Sequence, residues 1–140
     1  MKRRKKVKFE PKLRTIENKL WALCRELCLR RDIKNGKIDC YTCSQKNLKG
    51  INCQLGHGYP KGALGAILRF DLRLLKYQCY NCNINLGGMG QVFWKNLEQD
   101  MGKLEADLLF AECKRSKGTP VKARPFYLAL IEAYKDLLKT

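Results

Sequence analysis

The sequence predicts an α+β fold that is mostly helical, in which a small cysteine-containing core lies between helices at the two ends of the chain. Apolar residues recur at helical spacing near both ends, over 14–33 and over 89–139. The middle of the chain, 35–90, is rich in glycine and turn residues and carries two Cys-x2-Cys pairs. A chain of 140 residues has room for one domain, which we place at 14–140 behind a basic flexible arm at 1–13.

The chain is strongly basic, with 29 Lys and Arg against 13 Asp and Glu and a formal net charge of +16. Such a charge favours a polyanionic partner, nucleic acid first and an anionic membrane surface second. The arm concentrates this charge, and the alternative interpretation is a tail that only aids solubility. Five cations of the arm are predicted to contact DNA phosphates: Lys2, Arg3, Arg4, Lys5 and Lys6.

The first twelve residues, MKRRKKVKFEPK, are charged throughout and lack the apolar centre of a signal peptide. No apolar run approaches the roughly 20 residues that span a bilayer. We therefore expect a cytoplasmic protein without a membrane partner. Eight cysteines in a reducing compartment favour metal binding over disulfides.

The first predicted helix covers 14–33, and Thr15 is its expected N-cap. Its apolar residues continue at helical spacing through Cys24 and Cys28. We interpret these two thiols as part of the core, with a second metal site as the alternative.

The two cysteine pairs, CYTC and CYNC, predict a tetrahedral zinc site, because each pair can direct two thiolates at one ion. The four predicted ligands are Cys40, Cys43, Cys79 and Cys82. One alternative is four buried free thiols, and another is a zinc site that includes His57, which lies four residues after Cys53. Asn35-Gly36 predicts a turn before the first pair, and AILRFDLRLLKYQC predicts a strand leading into the second.

The C-terminal part, 89–139, is predicted to be helical. NCNINLGG before it predicts one or two helical turns ended by Gly87-Gly88. Gly102 is expected to break or kink the helical pattern, and Pro125 to begin the last helix. The two apolar stripes consist of Phe93, Leu97, Met101, Leu104 and Leu108, and of Phe126, Leu130, Tyr134, Leu137 and Leu138. We interpret both stripes as core, with a homodimer interface as the alternative for the second.

Several motifs follow one another in a specific order: a Cys-x2-Cys pair, a Gly-His, an Arg-Phe-Asp and a Gln-Cys-x2-Cys-Asn. They lie in the stretches IDCYTCSQ, LGHGYPKG, LRFD and QCYNCNINLGG. In these motifs the chain resembles the phage NinG/Rap recombination endonucleases, which are of the HNH or ββα-metal type and have a site akin to that of endonuclease VII-type junction resolvases. The resemblance implies a treble-clef or ββα-metal zinc core flanked by N-terminal and C-terminal helices.

The resemblance also implies catalytic roles. His57 is expected to act as general base toward a water, and Asn83 to hold a catalytic Mg²⁺ or Mn²⁺. Endonuclease VII-type sites carry an acidic metal ligand immediately before this histidine, whereas this chain has Gly56 there. Asp71 is our candidate for the missing catalytic metal ligand.

Most of the charged and aromatic residues near these motifs have two interpretations. Lys61 and Arg69 are predicted to contact DNA, with an ordinary exposed cation as the alternative for Arg69. The alternative for Asp71 is a surface ion pair with Arg69 or Arg73. The aromatic residues Trp21, Phe93 and Trp94 are interpreted as core rather than as base-stacking groups.

The predicted function is that of a metal-dependent, structure-specific DNA endonuclease, which cuts branched recombination intermediates such as Holliday junctions, D-loops or flaps. The alternative is a zinc-stabilised DNA-binding module of phage recombination that performs no chemistry. An RNA-binding zinc protein is a weaker third interpretation, because the sequence lacks the aromatic-rich motifs of the usual RNA modules. The expected cofactors are one structural Zn²⁺ per chain and a catalytic Mg²⁺ or Mn²⁺. The expected partners are DNA, a second copy of the chain, and recombination proteins of phage or host in a phage-infected or prophage-carrying bacterium.

Overall fold

The computed structural model describes residues 10–118 and 121–140. The predicted arm lies largely outside this part of the chain, and so do its five predicted DNA contacts, Lys2, Arg3, Arg4, Lys5 and Lys6. Over the described residues the chain is mostly helical and has one small sheet, which agrees with the predicted α+β class. The finer assignment to a treble-clef or ββα-metal core stays a prediction.

Helices account for most of the described residues. The α-helices are α1 (Leu13–Asp32), α2 (Ala66–Arg69), α3 (Gly90–Met101), α4 (Lys103–Ser116) and α5 (Ala123–Leu138). The strands are β1 (Gln54–His57) and β2 (Leu75–Gln78). A short π-helical turn, Asn81–Asn85, comes after β2, separated from it by Cys79 and Tyr80, and is the helical turn predicted for NCNINLGG.

The two strands pair antiparallel, with Gln54 opposite Gln78 and His57 opposite Leu75. Because successive side chains of a strand alternate between its faces, residue 56 and Gln78 share one face while His57 points to the other. A long connection between the strands contains α2 and two short 3₁₀ turns. The sheet and the turn after it therefore run in the order strand, strand, helix.

Helix α1 packs against α5 and against β2 to form the main core. Its buried side consists of Ile16, Leu20, Cys24 and Cys28, which confirms the predicted core position of the two thiols. On the facing helix, the Tyr134 hydroxyl donates to the carbonyl oxygen of Phe70 at 2.6 Å. Burial raises the pKa of Cys24 to about 12, so this thiol stays protonated at neutral pH.

A second, smaller core lies between the connection of the strands and α4. Its buried residues are Leu64, Leu68, Leu74, Leu109 and Cys113. Helix α4 in turn packs against α3, so the C-terminal helices cover the loop that follows His57. The end of β1 is therefore enclosed by packed helices.

The turn predicted at Asn35-Gly36 is present. Both residues have positive φ, 51° and 70°, and Lys34 and Lys37 pair across them. Two positive φ values in succession are characteristic of a type I′ turn, for which Asn-Gly is the preferred pair. The local sequence was therefore sufficient for this prediction.

Three boundaries differ from the sequence prediction. Helix α1 begins at Leu13, so Thr15 is not the N-cap, and its own N–H donates to the carbonyl of Lys12 at 3.0 Å. Pro125 is the third residue of α5 rather than the first, which is tolerated because N–H groups of a first helical turn have no partner within the helix. The strand predicted over AILRFDLRLLKYQC is confined to β2, since Asp71 accepts a hydrogen bond from the Arg73 N–H and starts a 3₁₀ turn.

Gly102 separates α3 from α4 with a φ of 90°, which confirms the predicted break. This conformation resets the helical phase, so the predicted stripe is wrong beyond the break. Leu104 and Leu108 are 73% and 57% exposed. The buried side of α4 consists instead of Ala106, Leu109, Cys113 and Ser116.

The stripe predicted for α5 is displaced by one residue over most of its length. Tyr127 and Ile131 are buried, and Tyr134 is buried as predicted. Leu137 is 49% exposed. The side of α5 that faces α1 is therefore centred on two tyrosines and an isoleucine.

We predict that Gly65→Ala destabilises the fold by about 1–3 kcal/mol. A Cβ at Gly65 would lie 2.2 Å from the backbone carbonyl oxygen of Ser116, which moves only if the end of α4 moves. Gly62→Ala is the matched control, because nothing lies within 4 Å of its Cβ position. Denaturant unfolding of the zinc-loaded chain measures both variants, and equal midpoints would contradict this account of the packing.

Candidate functional site

The four predicted zinc ligands come together in one cluster. The sulfurs of Cys40, Cys43, Cys79 and Cys82 all lie within 4.8 Å of one another. Zinc–sulfur bonds of about 2.3 Å in a tetrahedron separate the sulfurs by about 3.8 Å. The Sγ atoms of Cys43 and Cys79 are 3.7 Å apart. The cluster therefore fits a structural zinc site.

Backbone N–H groups surround the sulfurs of this cluster. The N–H of Cys79 donates to Cys40 Sγ at 3.3 Å, and that of Gln45 donates to Cys43 Sγ at 3.4 Å. Burial opposes ionisation of Cys40, but the hydrogen bonds it accepts from Cys79 and Thr42 outweigh burial and lower its pKa to about 6. Burial instead raises the pKa of Cys82, to about 12, and that of Cys43. Of these three thiols, Cys40 is the one whose surroundings favour the thiolate, the form in which cysteine binds zinc.

Neither Cys53 nor His57 belongs to the cluster. His57 is the last residue of β1, and its ring stacks on the indole of Trp21 from α1, with centroids 5.4 Å apart and an interplanar angle of 11°. Trp21 was interpreted as core, and its contact with His57 was not predicted. The only histidine is therefore held by aromatic packing, away from the sulfurs.

The second contact of the His57 ring defines its tautomer. Its Nε2 lies 2.9 Å from the backbone carbonyl oxygen of Arg69. A carbonyl oxygen only accepts hydrogen bonds, so Nε2 carries the proton and donates it to Arg69. The lone pair of the neutral ring then resides on Nδ1, to which none of the described residues donates a hydrogen bond, so Nδ1 can accept a proton.

The surroundings of His57 keep its ring neutral. Burial lowers the pKa of His57 below its usual 6.5, and the positive charges of Lys61 and Arg69 lower it further. The hydrogen bond to the Arg69 carbonyl acts in the opposite direction but does not outweigh them. At neutral pH the imidazole is thus in the form that a general base requires.

Asn83 lies just after the last cysteine of the cluster, and its N–H donates to the carbonyl of Cys79 at 3.0 Å. Its side-chain Nδ2 donates to Gln54 Oε1 at 2.8 Å, which leaves Oδ1 on the opposite side of the amide. Asn83 and His57 both line a cavity of about 290 Å³. The other residues of its lining are Gly58, Tyr59, Pro60, Lys61, Gly87, Gly88 and Gly90.

The other predicted site residues are placed differently. Lys61 is exposed and lines this cavity. Arg69 approaches His57 through its backbone carbonyl, while its guanidinium is half-buried, with no acceptor among the described residues for Nε. Asp71 is not among the lining residues of the cavity; it pairs with Arg73 at 2.7 Å, which was the alternative interpretation of this carboxylate.

The loop after His57 is held by aromatic residues. A Cβ at Gly58 would lie 2.4 Å from the ring of Phe93, and the Gly58 carbonyl accepts a hydrogen bond from Trp94 Nε1 at 2.7 Å. Both rings were interpreted as core: Phe93 is fully buried, whereas Trp94 is half-buried and packs against the second core. Next to this loop is a larger cavity of about 610 Å³ lined by Tyr59, Trp94 and Phe110 among others. The loop after β1 therefore borders two cavities, of which the larger is lined mainly by apolar groups.

Gln78 was missed by the sequence reasoning. It is fully buried in β2, and its side chain lies against Gly56, the residue before His57. The signal was present, since a glutamine directly precedes the second cysteine pair in QCYNCN. The contact between Gln78 and Gly56 was not evident from the sequence, because β1 and β2 are far apart in the chain.

No protein-family model, curated protein or solved structure matches this chain. The resemblance to recombination endonucleases therefore stays a prediction, and what can be proposed about function rests on the residues and their geometry. Within the described part of the chain, no helix combines the length and the apolar composition needed to cross a membrane.

Proposed function

We propose that the chain is a metal-dependent, structure-specific DNA endonuclease. The observation that carries this proposal is a neutral His57 that has its lone pair on Nδ1 and lines the same cavity as Asn83. A DNA-binding module that performs no chemistry has no need for a half-buried, neutral imidazole of this kind. The zinc cluster fixes the segment that carries Asn83, which suits a site whose geometry must be rigid.

In phosphodiester hydrolysis, His57 would accept one proton. Nδ1 takes a proton from a water, the water oxygen forms a bond to phosphorus, and the bond from phosphorus to the leaving sugar oxygen breaks. The stacked Trp21 and the carbonyl of Arg69 hold the ring so that Nδ1 keeps one direction. Fixed orientation of a catalytic group contributes directly to rate.

A divalent cation fits part of this site. When bound, Mg²⁺ or Mn²⁺ polarises the phosphate and stabilises the charge on the leaving oxygen. The Asn83 Oδ1 is a hard oxygen ligand that suits such an ion, and its amide is held by Gln54. Asp71 suits it less well, because its carboxylate is already engaged by Arg73.

The charge of the chain supports DNA as the substrate. The net charge of +16 favours binding to phosphates, and Lys61 extends this charge to the cavity that His57 lines. Branched recombination intermediates are the proposed substrates, in the cytoplasm of a bacterium that carries phage. Recombination proteins of phage or host and a second copy of the chain are the proposed protein partners.

Cleavage of defined DNA substrates tests the proposal. Linear duplex, flap, D-loop and four-way-junction DNA are incubated with the zinc-loaded chain and with Mg²⁺ or Mn²⁺. We expect nicking that requires the divalent ion and is faster on branched than on linear DNA. Binding to all four substrates without cleavage in either ion would favour the alternative, a zinc-stabilised DNA-binding module.

We predict that the acid limb of the pH–rate profile lies below pH 6.5. The pKa of His57 is lowered in the folded chain, so the ring loses its proton, and becomes a competent base, at a lower pH than a free histidine. The lowered pKa also makes stability depend on pH. Below pH 6.5 the unfolded chain binds a proton at His57 more readily than the folded chain does, so the free energy of unfolding falls there, whereas above pH 6.5 it is unaffected by His57. Initial rates from pH 5 to 8 measure the limb, and a midpoint above 6.5 would contradict the prediction.

A further inference from the structure

Two amide oxygens converge on the position where a side chain of residue 56 would begin. An ideal Cβ built on Gly56 would lie 2.0 Å from Gln78 Oε1 and 2.7 Å from Asn83 Oδ1. The two oxygens are therefore no farther apart than the sum of those two distances. A carboxylate at residue 56, which the resemblance leads one to expect, has no room unless Gln78 moves.

The orientation of the Gln78 amide is fixed by its other contacts. Its Nε2 donates to the backbone carbonyl of Gly88 at 2.8 Å and to Thr42 Oγ1 at 2.9 Å. Because the Gly88 carbonyl can only accept, the amide nitrogen must face it, and Oε1 must face Gly56. Gln78 is fully buried, and none of the described residues donates a hydrogen bond to its Oε1.

The orientation of the Asn83 amide is fixed in the same way. Gln54 Nε2 donates to the carbonyl of Ile51 at 3.0 Å, which turns Gln54 Oε1 toward Asn83. That oxygen accepts from Asn83 Nδ2 at 2.8 Å, so Asn83 Oδ1 is the atom directed at Gly56. Lys76, the residue opposite Gly56 in the sheet, directs its ammonium to the ring of Tyr41 at 4.9 Å.

Gln78 Oε1 is thus a buried acceptor without a donor among the described residues, and Asn83 Oδ1 is directed at the same position. A buried acceptor without a donor costs about 1–3 kcal/mol, and amide oxygens are hard ligands that suit Mg²⁺ and Mn²⁺. We infer that Gln78 Oε1 and Asn83 Oδ1 together form a binding site for a divalent cation, in which Gln78 supplies the oxygen that Gly56 lacks. This inference rests on the proposed function and names a ligand of its catalytic ion.

Binding of Mn²⁺ to the zinc-loaded full chain, followed by the electron paramagnetic resonance signal of the free ion, tests the inference without any cleavage. Gln78→Met removes the oxygen and is expected to weaken Mn²⁺ binding about tenfold or more. Gln78→Glu places a carboxylate at the same position and is expected to tighten binding. Asn85→Ala is the matched control, because this exposed amide lies on the same turn as Asn83 and pairs with Asn81.

Since Gln78 is buried, a further variant covers the case in which its single replacements do not fold. Gly56→Asp combined with Gln78→Ala frees the space that Gln78 Oε1 occupies, and it is expected to bind Mn²⁺ at least as well as the wild type. Zinc content, measured for every variant, reports whether the cysteine cluster is intact.

The outcomes separate this inference from the proposed function. Wild-type affinity for Mn²⁺ in Gln78→Met, or no Mn²⁺ binding by the wild type, overturns the inference. If DNA is still cleaved in that case, the proposed function stands without it. Mn²⁺ binding that depends on Gln78, together with no cleavage of any DNA, supports the cation site and overturns the nuclease.

Discussion

His57→Ala is expected to lower the rate of DNA cleavage by about 10²–10⁴-fold, because it removes the general base. Nε2 of the ring donates its proton to the Arg69 carbonyl, so Nδ1 is the ring atom that can take a proton from water. Alanine has no atom that can replace it. Among the described residues that line the cavity with Asn83, His57 is the one whose side chain can take a proton from water at neutral pH. Single-turnover cleavage of the preferred branched DNA measures the loss.

Two controls separate lost chemistry from lost folding. The variant should keep its zinc, because His57 lies outside the cysteine cluster, and it should bind DNA with wild-type affinity. Added imidazole should restore part of the rate, since the substitution opens a ring-sized space against Trp21. Asn85→Ala, on the turn next to the cavity but not in its lining, should cleave like the wild type. Cleavage by His57→Ala at the wild-type rate would exclude His57 as the base.

Features that depend on neighbours in sequence were predictable. The two Cys-x2-Cys pairs specify which four sulfurs meet, because each pair acts as a unit whatever the chain does between them. Asn35-Gly36 specifies its turn because both residues tolerate positive φ. The core face of α1, with Cys24 and Cys28, follows from spacing within one helix.

Features that depend on the register of distant segments were not predictable. Gln78 meets Gly56 only because β1 and β2 pair with Gln54 opposite Gln78, across a connection that contains several short turns. Asp71 had two interpretations in the sequence. The 3₁₀ turn that brings it to Arg73 was hidden in a segment predicted as a strand.

Which face of a helix is buried after a break was likewise not predictable. By their spacing in the sequence, Leu104 and Leu108 continue the apolar stripe of α3. The positive φ of Gly102 changes the direction of the next helix, so that Leu109 faces the core instead. A glycine in a sequence predicts that a break occurs there, since it accommodates backbone conformations that other residues avoid. It does not predict the angle through which the following helix turns, which packing decides.

Cys79→Ser is expected to remove the zinc and unfold the core. Zinc contributes on the order of 10 kcal/mol in small zinc-stabilised domains, which is comparable to the whole stability of a domain this size, about 5–15 kcal/mol. Cys79 is fully buried, and its sulfur also accepts a hydrogen bond from the N–H of Cys82 at 3.4 Å. Metal analysis and thermal unfolding followed by circular dichroism measure the two effects together.

Cys53→Ser is the matched control for this variant. Cys53 is a half-buried thiol that lies outside the cluster, so its serine variant should retain one zinc per chain and unfold close to the wild-type temperature. Loss of zinc in Cys53→Ser, or a fully zinc-loaded Cys79→Ser, would contradict the proposed ligand set. The cluster also fixes Asn83, whose N–H bonds to the carbonyl of Cys79. Cys79→Ser should therefore lose both Mn²⁺ binding and cleavage, whereas His57→Ala should slow cleavage and leave Mn²⁺ binding unchanged.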